Sequence, residues 1–207
     1  MIETIFFGII AYLLGSIPTA VWLGRLKYNT DIREHGSKNA GATNTFRVLG
    51  KKPGIFVLTF DVLKGVLAVL LPYFVLDLPW GTEELIHIEL ICAILAVIGH
   101  VLPVFASFKG GKGVATSLGV IIGVHPPAAG ICVLIFLIVF IASQYVSLGA
   151  IIASISFPML LFFAFKVSSF WLLVFSCVLS TAVIFAHRKN IGRLIRLEEN
   201  KMNLFKK

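Results

Sequence analysis

The sequence predicts an all-α integral membrane protein, because it is unusually apolar and its apolar residues form runs long enough for membrane-spanning helices. Of its 207 residues, 58% are hydrophobic and 14% are charged, which leaves too few polar side chains to cover a water-facing surface. The formal charge of +8 would indicate nucleic acid binding in a soluble protein, but here the basic residues flank apolar runs. We therefore expect a lipid bilayer around the chain and no nucleic acid partner.

Six apolar runs reach or approach the roughly 20 residues that a helix needs to cross the hydrocarbon core. A shorter run, Val114–Val124, stops at a His-Pro-Pro turn and is marginal as a crossing, so it decides between six and seven spans. No linker-like segment or long repeat divides the chain, and we predict a single domain over residues 1–207. The six longer runs lie near residues 4–24, 55–76, 86–106, 128–142, 148–165 and 169–187.

The distribution of lysine and arginine favours seven spans. Seven of the 18 basic residues lie in 25–54, two are Lys109 and Lys112, and seven follow His187. The positive-inside rule assigns such clusters to the cytoplasmic side, and only an odd number of crossings brings all three there. We therefore expect about seven transmembrane helices, with the N-terminus outside and the C-terminus cytoplasmic.

The first cytoplasmic loop carries a segment rich in glycine and hydroxyl groups, GSKNAGATNTFR. With Ser37 as the N-cap and Gly50 and Pro53 as stop signals, residues 40–49 are predicted to form a short interfacial helix. The N–H groups and dipole at the start of this helix would attract an anion, and Arg47 would supply a bidentate fork to phosphate. The alternative is a capped surface helix whose polar residues only face water.

A second polar segment, KGGKGVATS, leads straight into the apolar run that begins at Val114. Its three glycines permit close backbone approach, and its two lysines with Thr116 would complete a phosphate cradle at a helix N-terminus. The segment is not a Walker A motif, since the pattern GxxxxGK[ST] is absent. The alternative is a flexible basic turn that only satisfies the topology.

A third segment, HRKNIGRL, follows the last span. His187 and Asn190 are three residues apart and share a face if the helix continues. A histidine titrates near neutral pH and can act as a general base or orient a hydroxyl group. Taken alone, the segment favours the alternative of an interfacial histidine beside a basic flank.

Ionisable residues also lie inside the predicted spans. Asp61 and Lys64 are three residues apart in the second span, and we favour a structural ion pair or a site-supporting role over direct catalysis. Glu89 and His100 in the third span are expected to form hydrogen bonds within the helix bundle. No cluster of His, Cys, Asp and Glu has the spacing of a metal site, so we expect no metal and no other cofactor.

Together the three segments GSKNAGATNTFR, KGGKGVAT and HRKNIGRL closely resemble the motifs of the bacterial acyl-phosphate:glycerol-3-phosphate acyltransferases, the PlsY family. The likeness covers nearly the whole chain, in length, motif order and span pattern. It implies an enzyme that transfers a fatty acyl group from acyl phosphate to the sn-1 hydroxyl of glycerol 3-phosphate. The products would be lysophosphatidic acid and phosphate, in the first acylation step of bacterial phospholipid synthesis.

The resemblance further implies a multi-pass protein of the bacterial inner membrane, with its active site at the cytoplasmic face and an acyl-phosphate-producing enzyme as a candidate partner. It leaves open whether His187 or a substrate phosphate is the general base, and which motif holds which substrate's phosphate. The motifs and the resemblance predict catalytic roles for Ser37, Arg47, Lys109, His187 and Asn190. Substrate binding is predicted for Asn39, Gly41, Thr43, Asn44, Gly110, Gly111, Lys112, Gly113, Thr116 and Ser147.

Two other functions fit parts of the sequence less well. A small anion transporter also binds substrates at glycine-rich helix ends, but here the polar groups gather at one face instead of the midplane, and no inverted repeat is visible. A metal-dependent CDP-alcohol phosphotransferase would need several aspartates inside the membrane, where this chain has only Asp61. No GxSxG nucleophile is present either, so we expect direct acyl transfer without an acyl-enzyme.

Cysteine labelling tests the predicted topology. After replacement of Cys92, Cys132 and Cys177, single cysteines are introduced at positions 47, 82 and 200. On intact cells a membrane-impermeant maleimide should label position 82 only, because positions 47 and 200 face the cytoplasm. Permeabilised cells provide the control, since all three positions should then react. Labelling of positions 47 and 200 from opposite faces would refute seven spans.

Overall fold

All regular elements of residues 2–79 and 81–202, the part of the chain that the computed structural model describes, are helical. The all-α class is therefore confirmed for these residues. A 3₁₀ turn, Val104–Ala106, follows the fifth α-helix, and a π-helical turn, Leu160–Ala164, extends the eighth. The α-helices are α1 (Ile2–Gly15), α2 (Thr19–Tyr28), α3 (Ala42–Leu49), α4 (Lys51–Val75), α5 (Glu83–Val101), α6 (Val114–Val124), α7 (Pro126–Ser143), α8 (Val146–Met159), α9 (Phe170–Ala186) and α10 (Arg188–Ile195).

Within the described residues, five helical segments are long and apolar enough to cross a membrane, and a sixth is reached if α9 and α10 form one bent span. The helix of the remaining predicted crossing, α6, is apolar but has only 11 residues. The structure thus contains a helix for each predicted crossing, whereas the count of seven and the orientation stay predictions. The five segments are Ile2–Tyr28, Lys51–Val75, Glu83–Ala106, Pro126–Ser143 and Val146–Ala164.

Several predicted helix bounds are wrong for local backbone reasons. The first span is interrupted between Gly15 and Thr19, where Pro18 lacks the N–H that a continuous helix requires. Gly50, at φ 95°, ends α3, and α4 begins at the next residue instead of near residue 55. Pro53 lies in the first turn of α4, where a missing N–H leaves no hydrogen bond unmade.

The interfacial helix α3 also begins later than predicted, at Ala42 with Gly41 as its N-cap. Gly36 and Lys38 have positive φ angles of 59° and 58°, so the backbone around Ser37 turns and cannot be the first turn of a right-handed helix. The prediction of a short helix in this loop is confirmed. The prediction that Ser37 caps it is wrong.

The chain forms two compact units, Met1–Val124 and His125–Lys207, and each is described by itself. A single functional domain stays a prediction. In the first unit, glycines bring helices into close contact: a Cβ atom on Gly15 would overlap the Ala96 carbonyl, joining α1 to α5, and one on Gly119 would overlap the Val62 carbonyl, joining α6 to α4. Small residues allow such backbone approach between helices in a membrane.

In the second unit, α7, α8 and α9 follow one another with short connections. His125 caps α7 by accepting a hydrogen bond from the Ala128 amide at 3.2 Å. The chain bends by 60° at His187, between α9 and α10. This bend sets the placement of the third motif.

Candidate active site

The turn before α3 is held by the side chain of Asn44. Its amide nitrogen donates to the carbonyls of Ile32 and His35, at 2.8 and 3.1 Å, and its amide oxygen accepts from the Ser37 N–H at 2.8 Å. Asn44 is buried, with 1% of its surface exposed. One amide therefore shapes the loop that presents Ser37. Substrate binding by Asn44 itself stays a prediction.

The remaining residues of the first motif lie around the start and the last turn of α3. Ser37 and Arg47 are exposed, while Asn39, Gly41 and Thr43 are half-buried. The Gly41 carbonyl accepts hydrogen bonds from the amides of Asn44 and Thr45 and from the hydroxyl of Thr45, which is buried. The predicted helix start directly after Ser37 is therefore wrong, since α3 begins at Ala42, whereas anion binding by this motif stays a prediction. An exposed Arg47 guanidinium is compatible with a phosphate contact.

An ion-pair brace, which the sequence analysis missed, connects this loop to the second motif. The carboxylate of Asp31 accepts hydrogen bonds from Arg33 and Arg25, each with a closest contact of 2.8 Å. Arg33 also donates to the Ala106 carbonyl at 3.1 Å. The hydrogen bonds from Arg33 lower the pKa of Asp31 well below its usual range. The brace thus remains charged in mildly acidic solution and ties the first loop to the turn that precedes Lys109.

The glycine loop of the second motif packs against the end of α5. The amides of Gly110 and Gly111 donate to the carbonyls of Val101 and His100, at 3.2 Å in both cases. A Cβ on Gly110 would overlap the His100 carbonyl, and a Cβ on Gly111 would overlap the His100 imidazole. Both glycine amides are therefore used within the protein, contrary to the expectation of an open cradle of N–H groups. Glycine is required at both positions because a side chain there would overlap His100.

The other residues of the second motif differ in exposure. Lys109 is exposed and Lys112 is half-buried. Gly113, at φ 79°, lies directly before α6. Thr116 is buried and forms a hydrogen bond with His100 Nδ1 at 3.1 Å.

The first two motifs are neighbours in the first unit. The Ala40 carbonyl lies 3.2 Å from the position that a Cβ on Gly111 would occupy. Together with the contact between Arg33 and Ala106, this brings the two polar loops into contact, as a shared substrate site within the unit requires.

In the second unit, the carboxylate of Glu199 accepts hydrogen bonds from two predicted site residues and from Arg193. Glu199 Oε1 accepts from Asn190 Nδ2 at 2.6 Å and from the Ser147 hydroxyl at 2.8 Å. Glu199 Oε2 accepts from Arg193 Nε at 2.7 Å. Burial raises the pKa of Glu199, but the hydrogen bonds from Arg193, Asn190 and Ser147 outweigh this effect and lower the pKa overall. The structure therefore brings Ser147 and Asn190 together through an ionised glutamate.

His187 lies at the bend between α9 and α10, with 3% of its surface exposed. Its Nδ1 lies 2.8 Å from the Val183 carbonyl. Because a carbonyl oxygen can only accept, Nδ1 carries the proton in this contact, and Nε2 is the basic nitrogen of the neutral ring. The prediction that His187 and Asn190 share a face of a continuing helix is wrong, since the helix bends at His187. Both residues are nevertheless buried in this unit.

Sequence reasoning missed Glu199 and the pair formed by Asp31 and Arg33. Glu199 follows Asn190 by nine residues, in a charged segment without periodicity. One signal was present: Glu198 and Glu199 are the only carboxylates after Glu89 in the sequence. An ionisable group in an otherwise basic region points to a defined partner.

Known proteins share both the sequence and the fold of this chain. The family model described as glycerol-3-phosphate acyltransferase matches residues 5–197. Glycerol-3-phosphate acyltransferase 2 of Bacillus cereus is 44% identical over 209 residues, covering 100% of this chain and 99% of that protein. The glycerol-3-phosphate acyltransferase of Chlorobaculum tepidum is 40% identical over 223 residues, covering 96% of each.

Two crystal structures of PlsY, an integral membrane glycerol 3-phosphate acyltransferase, have the same fold. The glycerol 3-phosphate form is 38% identical, covers 99% of this chain and 100% of that chain, and has a TM-score of 0.88. The lysophosphatidic acid form is 37% identical, covers 97% and 96%, and has a TM-score of 0.84. With three motifs, a family model and solved structures in agreement, this chain belongs to the PlsY family of glycerol-3-phosphate acyltransferases.

Proposed function

We propose that this membrane protein transfers a fatty acyl group from acyl phosphate to the sn-1 hydroxyl of glycerol 3-phosphate, releasing lysophosphatidic acid and phosphate. The observation that carries the proposal is the pair of contacting loops in the first unit, where Arg33 ties the first loop to the glycine loop. These loops carry the exposed cations Arg47 and Lys109. Both proposed substrates bear phosphate, which such cations bind.

Acyl phosphate suits direct transfer, which we expect because the sequence contains no GxSxG nucleophile. Its carbonyl carbon is already activated by the phosphate leaving group, so the glycerol hydroxyl can attack it directly. The new ester C–O bond forms as the bond between the acyl carbon and the phosphate oxygen breaks. Positioning of the two substrates and neutralisation of phosphate charge by Arg47 and Lys109 then supply most of the catalysis.

The hydroxyl proton has two candidate acceptors. One is Nε2 of His187, whose other nitrogen is engaged with the Val183 carbonyl. The other is an oxygen of a substrate phosphate. We assign Ser37, His187 and Asn190 to the chemical step. Substrate binding is assigned to Asn39, Gly41, Thr43, Asn44, Gly110, Gly111, Lys112, Gly113, Thr116 and Ser147. A pH profile of His187→Gln separates the two acceptors, because loss of a histidine base removes the acidic limb of kcat.

We place the reaction at the cytoplasmic face of the bacterial inner membrane, because the basic residues of all three motifs favour that side. One substrate is water-soluble, whereas the fatty chain of the other belongs in the bilayer. An acyl-phosphate-producing enzyme is a candidate partner, since direct transfer would protect this reactive donor from water.

The proposed function is tested with purified protein in detergent, palmitoyl phosphate and glycerol 3-phosphate. We expect phosphate release that depends on both substrates and persists in EDTA, together with formation of the 1-acyl product. Palmitoyl-CoA in place of the acyl phosphate is the control donor and should give no product. Robust activity with palmitoyl-CoA and none with palmitoyl phosphate would overturn the proposed donor.

Arg47→Lys tests the bidentate contact. The variant keeps the charge but loses the planar fork, so kcat/KM should fall roughly 10- to 150-fold, corresponding to a lost charge-assisted hydrogen bond of about 1.5–3 kcal/mol. Arg196→Lys is the matched control, because Arg196 pairs with Glu198 at the exposed surface. Steady-state kinetics decides: wild-type kcat/KM for Arg47→Lys would rule out the fork.

Glu199→Gln tests the carboxylate that holds Ser147 and Asn190. A glutamine side chain has one accepting oxygen instead of two, so it cannot accept the hydrogen bonds of Ser147, Asn190 and Arg193 together. We therefore expect kcat/KM to fall by about tenfold or more. The neighbouring Glu198→Gln is the control, since the Glu198 carboxylate pairs with Arg196 at the exposed surface. Because the pKa of Glu199 is lowered on folding, its stabilising effect should be present above the unfolded pKa and be lost as the pH falls through the folded value.

Thermal unfolding of both glutamate variants, followed in detergent across acidic pH, measures this dependence. Wild-type protein should lose stability on acidification more steeply than Glu199→Gln. Equal activity and equal acid sensitivity of Glu199→Gln and Glu198→Gln would contradict the assignment.

A further inference from the structure

A buried polar cluster lies beneath the glycine loop in the first unit. It joins the connection between α1 and α2 to three further helices, α4, α5 and α6. Its members are all predicted to lie within or at the ends of membrane-spanning segments, where polar groups are costly and usually functional. They are the Ile17 carbonyl, Thr19, Asp61, Lys64, His100 and Thr116.

An ion pair forms the base of the cluster. Lys64 Nζ lies 2.8 Å from Asp61 Oδ1, and the two side chains are only 6% and 2% exposed. Lys64 also donates to the Ile17 carbonyl at 2.9 Å, and the Thr19 hydroxyl donates to Asp61 Oδ1 at 3.2 Å. A buried ion pair adds little net stability compared with apolar side chains of similar size. Net stability alone therefore does not account for the burial of this pair.

His100 connects this ion pair to the loop above it. Its Nδ1 lies 3.1 Å from the Thr116 hydroxyl and 3.8 Å from Asp61 Oδ1. Its carbonyl accepts the Gly111 N–H at 3.2 Å. Its imidazole fills the space that a side chain at Gly111 would need. The orientation of the ring and the path of the glycine backbone are thus set by the same contacts.

We propose that His100, oriented by Thr116 and by the Asp61–Lys64 ion pair, is a positioning residue that sets the conformation of the glycine loop for phosphate binding. The inference rests on the proposed function in one respect, since it assumes that this loop holds a phosphate-bearing substrate. His100 acts through Gly111 and does not touch the substrate. The effect therefore falls on substrate binding and leaves the chemical step nearly unchanged.

His100→Asn is the first test, because asparagine keeps a hydrogen-bonding group near the position of Nδ1 but removes the Nε2 edge of the ring next to Gly111. The KM of one phosphate substrate should rise by about tenfold, as expected for a weakened hydrogen-bonded contact, while kcat changes little. The affected substrate should be the same one as in Gly111→Ala. Glu89→Gln is the matched control, because Glu89 is also a buried ionisable residue of α5 and should leave both KM values unchanged.

A double-mutant cycle tests the contact directly. The methyl group of Gly111→Ala meets the His100 ring, so removal of the ring makes room for it. The double variant His100→Ala/Gly111→Ala should therefore bind substrate no worse than His100→Ala alone. Independent, additive increases in KM would overturn the proposal.

Hydrogen–deuterium exchange supplies a measurement that does not depend on turnover. In His100→Asn, and in Asp61→Asn/Lys64→Met, which removes both charges together, amides of residues 107–113 should exchange faster than in the wild type. Amides of residues 146–158 in the second unit should be unchanged. Faster exchange in both regions with a lowered Tm would show a purely structural role and overturn the proposal, as would unchanged exchange with unchanged KM.

The two hypotheses fail separately. A wild-type protein without acyl transfer activity, whose variants still loosen residues 107–113, would refute the proposed function and support the positioning role. An active wild-type protein whose variants match it in KM and loop exchange would refute only the positioning role.

Discussion

A charge within the hydrocarbon region of a membrane has no water to solvate it, and this constraint organises the first unit. Asp61 and Lys64 neutralise each other on one turn of α4 and contact Ile17, Thr19 and His100. Helices can gather around such a pair only if their backbones come close. Glycines at the contacts between α1 and α5 and between α4 and α6 provide that approach.

The polar loops of the first unit depend on this frame. The glycine loop contacts the end of α5 through two backbone hydrogen bonds, and the first loop reaches it through Arg33. Their conformations are set mainly by contacts made inside the protein. A site that binds a phosphate-bearing substrate benefits from such preorganisation, because little energy is then spent on ordering the loops when substrate binds.

The sequence was most informative where the physics is local. Apolar run lengths predicted the helical class, and glycine, lysine and arginine patterns identified the motifs. Contacts between distant residues were out of reach: the hydrogen bond from Gly111 to His100 joins two predicted segments, and Glu199 meets Ser147 across 52 residues. The late start of α3 was missed because nothing about a lysine at position 38 indicates the positive φ angle that it has in the structure.

The charged segment after α10 illustrates how a tail-like sequence can be structural. Glu199 accepts hydrogen bonds from two predicted site residues, and the Met202 amide donates to the Gln144 carbonyl at 2.9 Å, at the turn before α8. Truncation at residue 197 would leave every apolar run intact. It would also delete the acceptor on which Ser147 and Asn190 converge, so shortened variants and fusion proteins should retain the chain through residue 202.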